Sequence, residues 1–166
     1  IREIYLSLDA YRNMMQKLYR DAVTKPVRRR VLTYVLGATG RRISEVLLLT
    51  TRDIDLENNK VTWRILKKKR QNYYVTLPLS PRLRDVLTRY ITFNGVSDRL
   101  FPVSRTQAYL DVKATLKEYS LHGWRVHDLR HAFILEALLN TRSLELVRRW
   151  IQHADYDMLL EYARTG

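Results

Sequence analysis

Two stretches decide the fold class of this chain: VTWRIL at residues 61–66 and YYVTL at residues 73–77. Both are rich in β-branched and aromatic residues, which favour β-strands. A polar and strongly basic segment, residues 67–72, separates them. The pattern therefore predicts a β-hairpin with a basic tip. A short strand near Ile54 is expected to join the hairpin in a small antiparallel sheet.

The segments on either side of this hairpin show helical periodicity. Their apolar residues recur three and four positions apart, and capping or turn residues precede them. The predicted helix starts are Ser7, Pro26, Arg42, Ser80, Ser104, Asp128 and Ser143. We expect the first helix to run to about Arg20, and the second to break at Gly37 and again at Gly40. Residues 1–166 contain no repeat or linker, so they are interpreted as one domain, mostly α with a small antiparallel sheet (α+β).

The charge of the chain indicates a polyanionic partner. Thirty Lys and Arg residues against seventeen Asp and Glu leave a formal net charge of +13 in 166 residues. DNA or RNA is the usual partner of so basic a domain. A membrane partner is disfavoured, because no apolar run approaches the roughly 20 residues that a bilayer crossing needs. The lack of cysteine excludes disulfides, thiolate nucleophiles and cysteine-bound metals, and is consistent with a reducing cytoplasm.

The segment TGRRISE at residues 39–45 is a first candidate site. A glycine followed by a helix start places backbone N–H groups and the positive end of the helix dipole beside an arginine side chain, which suits an anion. On this segment alone, a helix N-terminus with solvated arginines is the more common explanation.

The segment HDLRH at residues 127–131 is a second candidate site. His127 and Arg130 are three positions apart and share a helix face, so both can approach one small group. His127 and His131 also have the spacing of a two-histidine zinc helix. We predict no metal here, because Asp128 replaces the glutamate of that motif, an arginine lies between the histidines, and no third ligand cluster is evident. A structural helix with a buried or capping histidine remains the alternative.

The segment WIQHADYDMLLEY at residues 150–162 holds a histidine and a tyrosine that would be ordinary residues if taken alone. Together, the three segments resemble the tyrosine recombinase (phage integrase) family in order and spacing, and the resemblance covers essentially the whole chain as that family's catalytic domain. The first two resemble the family motifs T-G-x-R-x-S-E and H-x-x-R-H. His153, 26 positions after His127, and Tyr162, nine positions later, resemble the family's final histidine and nucleophile.

The resemblance implies catalytic roles for six residues: Arg42, Lys67, His127, Arg130, His153 and Tyr162. Arg42 and Arg130 would converge on one phosphate and grip its non-bridging oxygens, with His153 as a further hydrogen-bond donor. His127 would act as acid or base toward Tyr162, the nucleophile. No metal or other cofactor is implied.

A lysine of the basic hairpin would protonate the leaving 5′ oxygen. Lys67 is preferred because it directly follows the predicted strand, Lys69 is the second choice and Lys68 the third. Glu45 is expected to orient local groups rather than to do chemistry. The remaining basic residues, at 28–30, 67–70, 148 and 149, would mostly meet backbone phosphate, with a solvated basic face as the alternative.

The sequence departs from the family pattern at three places. Arg41 fills a position that is usually apolar, so the register of the motif favours Arg42 as the catalytic arginine. Gln152 replaces the usual glycine before the last histidine, and Met158-Leu159 replaces a common threonine pair.

The resemblance implies a site-specific DNA recombinase, or integrase, that cleaves and rejoins strands through a 3′-phosphotyrosyl intermediate. Its expected partner is a double-stranded recombination site in the cytoplasm, bound by a homotetramer in a synaptic complex, with a monomer as the alternative for this chain alone. We expect the chain to be a fragment lacking an N-terminal DNA-binding domain and a C-terminal docking tail. A type IB topoisomerase and a non-catalytic basic DNA-binding module remain open alternatives.

Overall fold

A computed structural model describes residues 7–66, 71 and 73–151 of the chain. These residues form seven α-helices and three β-strands. In chain order they are α1 (Leu8–Thr24), α2 (Arg28–Thr39), α3 (Ile43–Val46), β1 (Ile54–Asp55), β2 (Lys60–Ile65), β3 (Tyr73–Pro78), α4 (Pro81–Asn94), α5 (Arg105–Glu118), α6 (Asp128–Thr141) and α7 (Leu144–Ile151). The predicted mostly helical α+β architecture is confirmed. Within residues 7–66 and 73–151, no helix is both long and apolar enough to cross a membrane.

The three strands form one antiparallel sheet in the order β1-β2-β3. Ile54 pairs with Val61, and Trp63 pairs with Val75, so the predicted hairpin and its short third strand are both confirmed. Along β2, Val61, Trp63 and Ile65 are buried while Lys60 and Arg64 are exposed. One face of the sheet therefore packs on the core. The predicted basic tip, residues 67–70 and 72, lies outside the described residues.

Helix α2 is the centre of the domain. It packs against α1, α4, α5 and α6. Its residues from Val31 to Gly37 are all buried, and a helix that is covered on every side must be apolar around its whole circumference. The segment that follows α2 therefore begins at the packed centre of the domain.

The expected break at Gly37 is wrong, because α2 continues to Thr39. The hydroxyl of Tyr11 donates a hydrogen bond to the carbonyl of Gly37 at 2.6 Å. A Cβ at Gly37 would lie only 2.6 Å from the sulfur of Met15. Gly37 thus allows α1 to approach α2 closely, and it does so inside a regular helix.

Other helix limits also differ from the expected ones. Helix α1 extends to Thr24, beyond Arg20, and ends just before Pro26. Helix α3 is a single turn. The predicted starts at Ser80, Ser104 and Ser143 are confirmed, since each hydroxyl accepts a hydrogen bond from the backbone N–H three residues later, at 3.1–3.3 Å.

Part of the basic surface is paired within the domain. Arg28 on α2 contacts Asp111 on α5 at 2.7 Å. Arg29 and Arg30 contact Glu118 at the end of α5, at 2.7 and 3.0 Å. These arginines connect α2 to α5, which differs from the expectation that they mostly meet phosphate.

We predict that Glu118→Gln destabilises the domain at neutral pH, because it removes the negative charge that pairs with Arg29 and Arg30. The loss should be only about 1 kcal/mol, since these partly exposed pairs are screened by solvent. Hydrogen bonds from Arg29 and Arg30 lower the pKa of Glu118 from its ordinary 4.5 to about 2. A lowered carboxyl pKa stabilises the fold above the unfolded-state pKa, and this stabilisation is lost as the pH falls from about 4.5 toward 2. Urea unfolding at several pH values measures the difference. Glu57→Gln, at an exposed carboxylate between β1 and β2, is the control, and a Glu118 effect independent of pH would contradict the prediction.

Two glycines that each end a helix in the left-handed conformation provide a second prediction. Gly40 ends α2 with φ 68°, and Gly95 ends α4 with φ 62°. A Cβ at Gly40 would overlap the ring of Phe133, whereas a Cβ at Gly95 meets nothing within 4 Å. We expect Gly95→Ala to cost about 1 kcal/mol from left-handed strain alone, and Gly40→Ala to cost about 1–3 kcal/mol more from overpacking. Thermal unfolding measures both, and equal losses would disprove the steric argument.

Candidate active site

The connection between α2 and α3 presents Arg42. Gly40 ends α2 in the left-handed conformation, and Arg42 is the N-cap residue of α3. The side chain of Arg42 is 28% exposed. The glycine turn and the helix start therefore produce the local arrangement that the sequence predicted.

Glu45 connects this segment to the sheet. Its side chain is buried, and its Oε1 accepts a hydrogen bond from the backbone N–H of Arg42 at 3.1 Å. Its Oε2 lies 3.8 Å from Nη1 of Arg42 and accepts from the backbone N–H of Leu66 at 3.4 Å. Glu45 therefore also contacts the residue that follows β2 and directly precedes Lys67, which is consistent with the orienting role expected of it. Sequence spacing carries no sign of this contact, since 21 positions separate the two residues.

Arg130 lies on α6 and is only 2% exposed. Its Nη1 donates to the carbonyl of Gly40, and its Nη2 donates to the carbonyl of Ile151 at 3.1 Å. The two acceptors are the C-cap residue of α2 and the last residue of α7. Arg130, in the first turn of α6, therefore connects the end of α2 to Ile151, the last described residue of α7.

His127 precedes α6 and is exposed. Its ring lies edge-on to the ring of His131, with 4.8 Å between the centroids. The buried carboxylate of Asp128 accepts a hydrogen bond from the backbone N–H of Arg125 at 2.8 Å, which fixes the start of the helix. In the part of the chain that the structure describes, no three metal-ligating side chains form a cluster.

A cavity of about 520 Å³ brings these residues together. Five arginines and a histidine lie in its wall: Arg41, Arg42, Arg105, Arg125, His127 and Arg130. Of the described residues that line it, none carries a carboxylate. Arg42 and Arg130, which are 88 positions apart in sequence, thus line one cavity, and their convergence on one phosphate stays a prediction. A cavity with so many positive charges suits an anion that carries several oxygens.

Sequence reasoning did not identify Arg105 and Arg125 as members of this wall. Arg105 begins α5 and reaches the cavity only through the packing of that helix on α2. Arg125 lies two positions before His127, outside the recognised motif, so only its proximity in sequence could have drawn attention to it.

Arg41 is a buried neighbour of the two motif arginines, with 2% of its surface exposed. Its Nη2 donates to the carbonyl of Trp150 on α7. The pKa of Arg41 is lowered to about 10, mainly by burial and also by the neighbouring charges of Arg130 and Arg42, while Glu45 acts in the opposite direction. At neutral pH the side chain therefore still carries its charge.

The remaining predicted site residues lie outside the described part of the chain. They are the three hairpin lysines Lys67, Lys68 and Lys69, together with His153 and Tyr162. The nearest described positions are Leu66, directly before the lysines, and Ile151, two positions before His153. Their catalytic roles stay predictions.

Comparison with known proteins identifies relatives over nearly the whole chain. A sequence profile of the phage integrase family matches residues 5–165. The tyrosine recombinase XerA of Saccharolobus solfataricus is 26% identical over 131 residues, which cover 79% of this chain and 44% of that protein. The tyrosine recombinase XerC of Herpetosiphon aurantiacus is 27% identical over 149 residues, covering 84% and 49%. The chain thus spans about half the length of these relatives.

Solved structures share the fold. A XerA recombinase matches with a TM-score of 0.71 at 20% identity, covering 91% of this chain and 56% of the other. The XerH recombinase bound to its difH substrate matches with a TM-score of 0.68 at 22% identity, covering 94% and 48%. The catalytic domain of bacteriophage HP1 integrase matches with a TM-score of 0.61 at 20% identity, covering 93% and 85%.

The family profile spans both arginine motifs, the cavity that they form and the segment that contains His153 and Tyr162. The structural matches agree with it in fold, and the curated relatives are tyrosine recombinases. By sequence and by fold, this chain belongs to the phage integrase, or tyrosine recombinase, family.

Proposed function

We propose that this chain is the catalytic domain of a site-specific DNA recombinase that cleaves and rejoins strands through a 3′-phosphotyrosyl intermediate. The observation that carries the proposal is the common cavity of Arg42, His127 and Arg130 in a member of the phage integrase family. The net charge of +13 favours a duplex DNA partner.

The two arginines would stabilise charge on the phosphate. A guanidinium forms a planar fork that matches two phosphate oxygens, and it keeps its charge at any physiological pH. The carbonyls of Gly40 and Ile151 fix the orientation of the Arg130 fork before DNA arrives. Such preorganised cations act most strongly where negative charge increases, on the oxygens of the phosphorane-like transition state.

The chemical step would be a metal-free phosphoryl transfer. The Oη of Tyr162 attacks the phosphorus and loses its proton to His127, while the bond to the 5′ oxygen breaks and that oxygen takes a proton from a hairpin lysine. His153 donates a hydrogen bond to the phosphate. The phosphotyrosyl bond keeps the free energy of the broken one, so a 5′ hydroxyl of another strand can rejoin without ATP.

The proposal also covers the oligomeric state of the recombinase and the place where it acts. Exchange of strands between two duplexes needs four cleavages, which one homotetramer at a cytoplasmic DNA site would supply. The DNA-bound XerH structure supports a DNA partner for this fold. Plasmid relaxation without any recombination site would instead support the topoisomerase alternative.

We predict that Tyr162→Phe abolishes covalent attachment to DNA and leaves DNA affinity nearly unchanged, because only the nucleophilic oxygen is lost. The substrate is a pool of DNA duplexes with a randomised central sequence and a nick in one strand. Because of the nick, a strand that has been cleaved cannot be resealed. Adducts that survive denaturation are counted and mapped by mass spectrometry. Tyr156→Phe is the matched control, and an adduct mapped to Tyr156 would refute the assignment of Tyr162.

The lysine that acts as general acid can be identified through the leaving group. We expect Lys67→Ala to slow cleavage of normal DNA about 100-fold or more. A 5′-bridging phosphorothioate should restore the rate, since a thiolate leaves without a proton. Lys68→Ala should instead weaken binding with either leaving group, and reduce the salt dependence by about one unit of slope.

Single-turnover cleavage of both substrates measures these rates. Rescue of Lys69→Ala instead of Lys67→Ala would assign the role to Lys69. If the sulfur substrate rescues none of the three variants, a lysine is not the general acid.

A further inference from the structure

Helix α3 is only one turn long, although it presents an arginine of the cavity wall. Arg42 is its N-cap residue and lines the cavity, and Leu47 is its C-cap residue. A single helical turn closes too few backbone hydrogen bonds to be stable by itself. Contacts made by side chains and by the rest of the domain must therefore hold this turn in place.

The end of α3 is bonded by Arg99, which lies 52 positions after Leu47 in the chain. Both Nε and Nη2 of Arg99 donate to the carbonyl oxygen of Leu47, at 2.9 and 2.6 Å. The carbonyls of Ile43 and Val46, within the turn, instead accept from backbone N–H groups. Arginine side chains can satisfy the last carbonyls of a helix, and bonds from a charged donor are stronger than those between neutral groups. Arg99 thus caps α3.

The backbone of Arg99 is itself fixed to the chain that leaves α3. Arg99 and Thr50 form an antiparallel bridge. Beside the bridge, the N–H of Leu100 donates to the carbonyl of Leu49 at 3.0 Å. The carbonyl of the buried Leu100 accepts a hydrogen bond from the hydroxyl of Tyr90, on α4, at 2.7 Å. The guanidinium of Arg99 therefore connects α3 to a segment that is bonded to α4.

The bonds of Arg99 matter more for the position of α3 than for the stability of the domain. Arg99 is an exposed residue, and a hydrogen bond that replaces one to water adds little to the free energy of unfolding. Val46 and Leu47 are buried and hold the turn against the core. Apolar packing has no preferred direction, however, whereas a hydrogen bond prefers one distance and one angle.

We propose that Arg99 is a positioning residue: by bonding the carbonyl of Leu47, it fixes the one-turn helix that presents Arg42 and so holds the Arg42 guanidinium in place for the phosphate. The role of Arg42 rests on the proposed function. One helical turn connects Arg42 to Leu47, so a shift of the helix end also displaces the arginine. A displacement of about 1 Å in a reacting group can slow a reaction about 100-fold.

The test compares Arg99→Met with Arg99→Lys and with the control Arg52→Met. Arg52 follows α3 in the chain and pairs with Asp98 at 3.1 Å, so the control removes a positive charge from the same region. Covalent attachment is timed in single turnover at saturating DNA, on the duplex that the parent chain selects from the nicked pool. DNA affinity and the thermal midpoint are measured in parallel, and hydrogen exchange is followed in the peptide that contains residues 43–49.

We expect Arg99→Met to slow attachment about 10- to 100-fold, with DNA affinity changed no more than in Arg52→Met. Its thermal midpoint should fall by no more than about 4 °C, and exchange in residues 43–49 should become faster. Arg99→Lys, which keeps the charge without the planar fork, should lie between Arg99→Met and the parent. Arg52→Met should match the parent in rate and in exchange.

Double variants with Arg42→Ala identify the residue through which Arg99 acts. If Arg99 serves the reaction by positioning Arg42, then adding Arg99→Met to Arg42→Ala should slow attachment about twofold or less, because the positioned group is already gone. An equal loss with and without Arg42 would show that Arg99 acts elsewhere, and would overturn the proposal. If Arg42→Ala forms no adduct, the single variants and their exchange decide.

An unchanged rate in Arg99→Met also overturns the proposal, as does an equal rate loss in Arg52→Met or a rate loss that follows a loss of DNA affinity. If Arg99→Met does not fold, Arg99→Lys decides, and a parental rate with parental exchange then overturns it. Failure of the proposed function looks different, because the parent chain itself would form no adduct at Tyr162. Hydrogen exchange in residues 43–49 tests the contact even in that case.

Discussion

The side chain of Arg130 joins three helices at one point, and the arrangement of the site depends on this contact. From α6 it donates to the carbonyl of Gly40, at the end of α2, and to the carbonyl of Ile151, the last described residue of α7. Buried carbonyls need donors, and a buried guanidinium needs acceptors, so each group satisfies the other. Displacing either acceptor would break one hydrogen bond of this buried cation and take the donor away from a carbonyl. The bonded geometry is therefore strongly preferred over its neighbours.

The same geometry concentrates positive charge at the cavity. Arg130 and Arg42 both lower the pKa of Arg41, because each repels the charged form of that guanidinium. Glu45 is the described carboxylate that opposes this repulsion, and its oxygens are also bonded to backbone N–H groups. A phosphate in the cavity would relieve the repulsion of all three arginines. At the other end of α2, by contrast, Arg28 pairs with Asp111 of α5, and Arg29 and Arg30 share Glu118.

Local chemistry explains why so many elements of the fold were predictable. The serine caps, the β-branched strands and the left-handed turn at Gly40 each depend on residues a few positions apart. Gly37 shows the opposite case. Its effect depends on Tyr11 and Met15 of another helix, and nothing near Gly37 in sequence indicates that they will be there. A glycine that permits helix packing and a glycine that ends a helix look alike in sequence.

The sequence by itself determined the α+β class, the family and the identity of the motif residues, because periodicity, caps and motif spacing are properties of short stretches of chain. Only the tertiary structure decided that Arg42, His127 and Arg130 share a cavity with Arg105 and Arg125. It also decided that Glu45 reaches the end of β2, and that Arg41 lies buried against α7 rather than in solvent. These contacts join residues 21 to 109 positions apart. Which distant groups meet is settled by the packing of whole helices around α2, and no local pattern encodes it.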